Sequence, residues 1–190
     1  YPLVGALAEV LVYSKQLSLA EVIALYNRDI PTGSLAAHWP MGDGDTYPTL
    51  SDTSGNGLHG TMVNMEASDI QTPISQTSIA YKSLIFDGSE YIGCGSILNY
   101  ERTNTFSASV WFKTSDGSVR MLFGKDGTSY QGYSVYIQGG IRVEIISSWP
   151  GNWLQGYTSS SWSDGQWHHL VVTYDGTSQV SGIKIYIDGN

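Results

Sequence analysis

The chain has 190 residues, enough for one domain with a sizeable core, and its net charge of −8 argues against a nucleic-acid partner by repelling phosphate backbones. Hydrophobic residues make up 41% and charged residues only 14%, so uncharged polar groups must cover most of the surface. The single cysteine, Cys94, rules out an internal disulfide and a thiolate metal cluster, and no apolar run is long enough to span a membrane as a helix.

In chain order, residues 1–30 differ from the rest. Leu7–Tyr13 is rich in Leu and Val and predicts a strand. Ser18 and Glu21 form a capping-box pattern, and Val22, Ile23, Leu25 and Tyr26 follow at helical spacing, so a short helix is expected before Asn27 and Pro31. From Leu35 onward everything reads as strands and turns. Leu35–Trp39 is a short strand, followed by a Gly/Asp/Pro/Ser stretch from Gly42 to Gly60. Ser83–Phe86 and Tyr91–Gly93 flank an Asp87-Gly88 turn. Phe106–Lys113 alternates, with Phe106, Ala108, Val110 and Phe112 on one side and Ser107, Ser109, Trp111 and Lys113 on the other. Ser118–Gly124, Tyr133–Gln138, Ile141–Ser147, Trp167–Tyr174 and Ile183–Ile187 continue the series, punctuated by Asp-Gly and Gly-Gly turns. In Trp167–Tyr174 neither side is purely polar, which predicts a central strand partly covered on both faces. Many short strands with frequent Asp-Gly turns and one helix predict an all-β antiparallel sandwich or barrel. The chain opens Tyr1-Pro2 and stops at Asp188-Gly189-Asn190, inside a hairpin-turn signal, so both ends are expected to be cuts in a longer protein.

Four stretches in order carry a family resemblance. Asp164-Gly-Gln-Trp-His-His-Leu-Val-Val-Thr-Tyr-Asp-Gly176, followed by Ile183-Lys-Ile-Tyr-Ile-Asp-Gly189, resembles the "D-G-x-W-H-H-V-A-V-T-Y-D-G … L-Y-V-D-G" pattern of laminin-G-like domains. Ala37-His-Trp39 with Asp52-Thr-Ser-Gly-Asn-Gly-Leu-His-Gly-Thr61 resembles that family's opening strand and "D-x-S-G-N-x-x-H-G-T" loop. Ser83-Leu-Ile-Phe-Asp-Gly88 with Tyr91 resembles its "L-x-F-D-G … Y" hairpin, and Phe106–Lys113 its "F-T-x-S-x-W-V-K" strand. The resemblance implies a concanavalin A-like jelly roll. Residues 1–30 resemble the family's closing end instead: Gly5-Ala-Leu-Ala-Glu9-Val-Leu-Val-Tyr13, Leu17-Ser18 and Glu21…Leu25-Tyr26 match "G-x-I-D-E-V-R-I-Y-x-x-x-L-S-x-x-E-I-x-x-L-Y". The expected organisation is therefore a closing strand and helix in 1–30, then a sandwich in 31–190 that lacks its own final strands. Either the chain is a permuted slice of a tandem array, or residues 1–30 fill the missing slot here or in a neighbouring copy. An unfilled slot or open edge invites self-association.

Two groups of residues suit ligand chemistry. Asp52, Ser54 and Asn56 place oxygen side chains at alternate positions before Gly57, a spacing that lets a tight loop wrap a hard cation. The same residues also suit a turn that hydrogen-bonds its own backbone. Calcium is the expected ion, since the resemblance implies an edge calcium site, and Asp87 and Asp43 are candidate further ligands. Trp149, Trp153, Tyr157 and Trp162 crowd a Ser/Gly/Asn stretch, and Tyr130 and Tyr133 another. Aromatic faces among amides and hydroxyls suit sugar rings, so Trp149, Trp153, Tyr157 and Tyr130 are the expected ligand-binding residues. Trp162, beside the Asp164-Gly165 turn, is expected to fill the sandwich instead. His168 and His169 are adjacent on a strand and point to opposite faces, so they cannot share one metal or proton. His38 and His59 have no partner at ligand spacing, and Cys94 reads as a small buried hydrophobe.

Catalysis finds little support. The related glucanases place their acids in E-x-D-x-x-E on one strand, whereas Glu9, Glu21, Glu66, Glu90, Glu101 and Glu144 are scattered, and no nucleophile elbow or phosphate loop appears. The expected function is non-catalytic recognition of a glycan or cell-surface ligand by part of an extracellular, cell-surface or virion protein. The alternatives are an assembly repeat that binds its own copies, and an accessory domain of a hydrolase.

Overall fold

A computed structural model of the chain describes residues 1–76, 79–126, 132–148 and 151–190. One layer is a seven-stranded antiparallel sheet. Its order is β14 (Ile183–Ile187), β13 (Trp167–Tyr174), β8 (Phe106–Lys113), β1 (Val4–Tyr13), β6 (Ile79–Asp87) and β5 (Ile70–Gln76), and β2 (Leu35–Trp39) also pairs β1. The opposite layer comes in two pieces. Four strands run β12 (Asn152–Tyr157), β11 (Ile141–Ser148), β10 (Gly132–Ile137) and β9 (Arg120–Asp126). Three run β3 (Thr49–Leu50), β4 (Gly60–Val63) and β7 (Tyr91–Gly93). Both pieces send their apolar side chains into one core. Val135, Ile141, Val143 and Leu154 from the first, with Leu50 and Met62 from the second, meet Val10, Phe106, Val110, Phe112 and Leu170 of the large sheet. The chain is thus an all-β sandwich.

The alternation read in Phe106–Lys113 is that of the structure. Phe106, Ala108, Val110 and Phe112 enter the core, while Ser107 and Ser109 turn the other way and are satisfied there. All eight residues of β13 are buried, with Leu170 and Val172 in the main core and Val171 in a second cluster behind the sheet. That second cluster lies under α1 (Leu19–Tyr26), where Val22 and Leu25 cover Leu11 and Tyr13. Ser18 caps α1 reciprocally: its hydroxyl accepts from the Glu21 N–H, and the Glu21 carboxylate accepts from the Ser18 N–H.

β1 holds the sheet together, pairing with β6 and β8 on either side. Strict alternation would put Leu7 and Val10 on opposite faces, yet both enter the core. A bulge resolves the conflict. The register against β8 shifts between Ala8 and Val10, and the extra residue, Glu9, takes φ = 45°. β1 thereby fills the centre of this chain's own sheet, between β6 and β8.

One local expectation needs correction, and two stretches hold strands that the sequence left unassigned. Asp87-Gly88 does not close a hairpin: β6 belongs to the large sheet, whereas β7 pairs with β4 in the small one, so the turn carries the chain between layers. The stretch from Gly42 to Gly60 contains β3 and the first residue of β4. The aromatic segment around Trp153 forms the edge strand β12. At the other end, Asp188 (φ = 53°) and Gly189 (φ = 82°) form the turn that the Asp-Gly pair predicts, closed by mutual backbone bonds between Ile187 and Asn190.

Candidate functional site

Strand alternation decides what the four-stranded sheet shows to solvent. Tyr133, Val135, Ile141, Val143, Ile145 and Leu154 point into the core, so the intervening residues of β10, β11 and β12 face outward. Cross-strand register arranges these in three rows: Tyr136, Arg142 and Tyr157; Ser134, Glu144 and Gln155; Gly132, Ile146 and Trp153. β12 is an edge strand, and its two outward aromatics are open, Trp153 being 39% and Tyr157 66% exposed. Four residues apart on one strand, they stand about 13 Å from each other along it.

Between them lies a connected polar ladder. Glu144 Oε1 accepts from the Tyr136 hydroxyl at 2.8 Å and from Gln155 Nε2 at 2.7 Å. Gln155 Oε1 in turn accepts from Arg142 Nη1 at 3.3 Å, and the Arg142 guanidinium lies 5.6 Å from the centre of the Tyr157 ring. Burial, and then the Glu144 carboxylate beside it, push the Tyr136 phenol up to about 12, so it stays a neutral donor. A shallow hollow of about 280 Å³ adjoins the ladder, lined by Tyr1, Met121, Ser134, Tyr136 and Glu144. Rings, amide, guanidinium and hydroxyl on one rigid face supply flat apolar contact together with directional hydrogen bonds.

Of the expected ligand-binding residues, Trp153 and Tyr157 share this face, while Trp149 and Tyr130 lie outside the described residues. Tyr136, Arg142, Glu144 and Gln155 are additional. The alternation in Ile141-Arg-Val-Glu-Ile145 marks Arg142 and Glu144 as outward, but their pairing with Gln155 and Tyr136 depends on cross-strand register. Trp162 packs on the core edge-on to His168, with ring centres 5.0 Å apart.

The cation loop has a different character. Asp52 is 8% exposed, and its carboxylate accepts four bonds: from the N–H groups of His38, Ser54 and Leu58 and from the Ser54 hydroxyl. Burial pushes its pKa up, but those backbone N–H groups outweigh burial and hold it below the ordinary range. A carboxylate has about four lone-pair positions, and donors fill them here. Asn56 turns its amide nitrogen to the carbonyls of Leu35 and Ala36, at 3.2 and 3.0 Å, and Asp87 takes the N–H and hydroxyl of Ser89. Among the described residues no three acidic, His or Cys side chains cluster to hold a metal, so Asp43, Asp52 and Asp87 do not converge. As arranged, this donor set does not fit calcium; it is a turn that pins the loop to β2.

The histidines are structural. His168 bonds Asp188 and Asp164 at 2.9 and 3.1 Å, and on the opposite face His169 bonds Ser109 Oγ at 2.8 Å beneath Trp111. Burial raises the Cys94 thiol to about 11, which leaves it protonated and unreactive at neutral pH.

No curated protein and no solved structure matches the chain. The sequence profile of the concanavalin A-like lectin/glucanases superfamily (Laminin_G_3) matches residues 86–190, more than half of the chain and the part that holds β7 through β14. With the sandwich described above, this match shows that the chain belongs to the concanavalin A-like lectin/glucanases superfamily.

Proposed function

We propose that this domain is a non-catalytic recognition module that binds glycan on the outer face of its four-stranded sheet, as part of an extracellular, cell-surface or virion protein. One observation carries the proposal: Trp153 and Tyr157 stand exposed on one face of β12, with the Tyr136–Glu144–Gln155–Arg142 ladder between and beside them. The aromatic faces cover the C–H side of sugar rings, and the amide and guanidinium take the hydroxyls. The superfamily includes lectins, which supports the substrate class, and glucanases, which makes the carboxylates worth inspecting. Glu144 is already engaged by two donors through one oxygen, a setting that orients a binding group. Calcium has no part in the proposal, because the candidate loop spends its acceptors on its own backbone. No helix of the described residues is long and apolar enough to cross a membrane.

A glycan array, probed in calcium and in chelator, tests this directly. The expected result is binding to a defined sugar class, equal in both buffers, and at least tenfold weaker in Trp153→Ala and Tyr157→Ala. A blank array from folded protein that self-associates favours the assembly role instead.

A further inference from the structure

The opposite layer of the sandwich is discontinuous. The three-stranded piece ends at β7, the four-stranded piece ends at β9, and no ladder joins them. Beneath that gap is a hollow of about 540 Å³, lined by Leu7, Val10 and Val12 of β1 and by Trp39, Leu122 and Tyr133. It reaches solvent past Tyr1 and Tyr91, which are exposed. The size lies within the range of small-molecule sites, and the lining is of the kind that such sites have.

The polar groups at this hollow differ in what they have to offer. The Glu90 carboxylate accepts the Asp87 N–H, and Lys125 donates to Ser96 Oγ at 3.3 Å. Tyr133 is 6% exposed, with its ring packed on Phe106 at 5.0 Å, yet its hydroxyl has no hydrogen-bond partner among the described residues. The hydroxyl oxygen is not sealed in the core, and Tyr133 lines the hollow. Glu90 and Lys125 are engaged elsewhere, which leaves the Tyr133 hydroxyl to meet a polar group on a ligand whose body packs on the aliphatic and aromatic side chains.

We propose that this inter-layer hollow is a second binding site, for an uncharged, mostly apolar small molecule whose single hydroxyl or carbonyl meets the Tyr133 hydroxyl. Leu7, Val10, Val12 and Leu122 take the apolar body, and the gap between β7 and β9 is the way in. The site lies on the core side of the four-stranded sheet, opposite the Trp153 face, so it stands or falls independently of glycan binding.

The test uses the full chain with a matched pair of probes, naphthalene and 1-naphthol, titrated by NMR or calorimetry. The expected result is saturable one-to-one binding of both, with 1-naphthol tighter by up to about tenfold for its hydrogen bond. Tyr133→Phe abolishes that preference while naphthalene still binds. Leu122→Trp, which fills the hollow, abolishes both, and Trp153→Ala changes neither. Absence of saturable binding by the folded wild type overturns the proposal, as does binding that Trp153→Ala removes. If Leu122→Trp fails to fold, the decision rests on the phenol: equal wild-type affinity for the two probes, or a 1-naphthol preference that survives Tyr133→Phe, overturns it.

Discussion

The outer faces of the two layers carry the same residue types in opposite circumstances. Behind the seven-stranded sheet, Arg28 reaches over Trp111 at 4.4 Å and pairs with Glu9 at 2.7 Å, while Tyr26 and His169 stack on the same indole. Behind the four-stranded sheet, Arg142 lies near Tyr157, and Glu144 is tied to Gln155 and Tyr136. The first set is roofed by α1 and its exit, so Trp111 is 9% exposed and Glu9 3%. The second is only partly covered: Ser134 and Ile146 are buried, while Trp153 and Tyr157 stay exposed. Aromatic, arginine and glutamate side chains therefore mean little by themselves; coverage decides whether they stabilise the fold or meet a ligand.

Breaking the covered set should have the largest effect on stability. Glu9→Ala removes the acid from a buried pair and should cost about 3 kcal/mol or more, read as a lower denaturant midpoint, with ligand affinity of the folded fraction unchanged. Acid should do nearly as much through His169. Burial, and Arg28 nearby, lower its pKa from 6.5 to about 4, so the folded chain keeps the ring neutral where the unfolded chain takes a proton. That contribution is complete above pH 6.5 and is lost as the pH falls toward 4, about 3 kcal/mol in all, and His169→Gln should flatten that stretch of the stability–pH curve. Asp52→Ala comes next, at about 2 kcal/mol, because it strands the N–H groups of His38, Ser54 and Leu58. Its thermal midpoint and that of the wild type should be the same in calcium and in chelator; a drop on chelation of the wild type alone would restore a cation to this loop. The smallest stability effect belongs to the open set. Tyr157→Ala, at the more exposed ring, should change unfolding free energy by less than about 0.5 kcal/mol while weakening ligand binding, the reverse of Glu9→Ala.

The sandwich was largely legible because strand signals are local. Phe106–Lys113 alternates, and Trp167–Tyr174, with neither side purely polar, reads as a central strand; both stand as strands of the large sheet. The Glu9 bulge leaves a trace too, since Leu7 and Val10 are out of phase in an otherwise regular strand. β12 was hidden because Asn152-Trp-Leu-Gln-Gly-Tyr157 holds one buried aliphatic, Leu154, and a glycine, so neither β-branching nor alternation announces it. The ladder was hidden for a different reason: Glu144 is eight residues from Tyr136 and eleven from Gln155, and only strand register brings the three together. For the Asp52 loop, the sequence admitted both a cation site and a self-bonded turn, because both need oxygens at alternate positions. The choice depends on where the N–H of His38, in β2, comes to lie.

The most direct test of the central claim is a backbone-amide NMR titration with an oligosaccharide selected from the array, mapped on the assigned chain. The account predicts shift changes centred on Tyr136, Arg142, Glu144 and Trp153–Tyr157, with α1 and β13 silent. Changes centred instead on residues 42–60, or on the α1 face around Arg28 and Trp111, would contradict it.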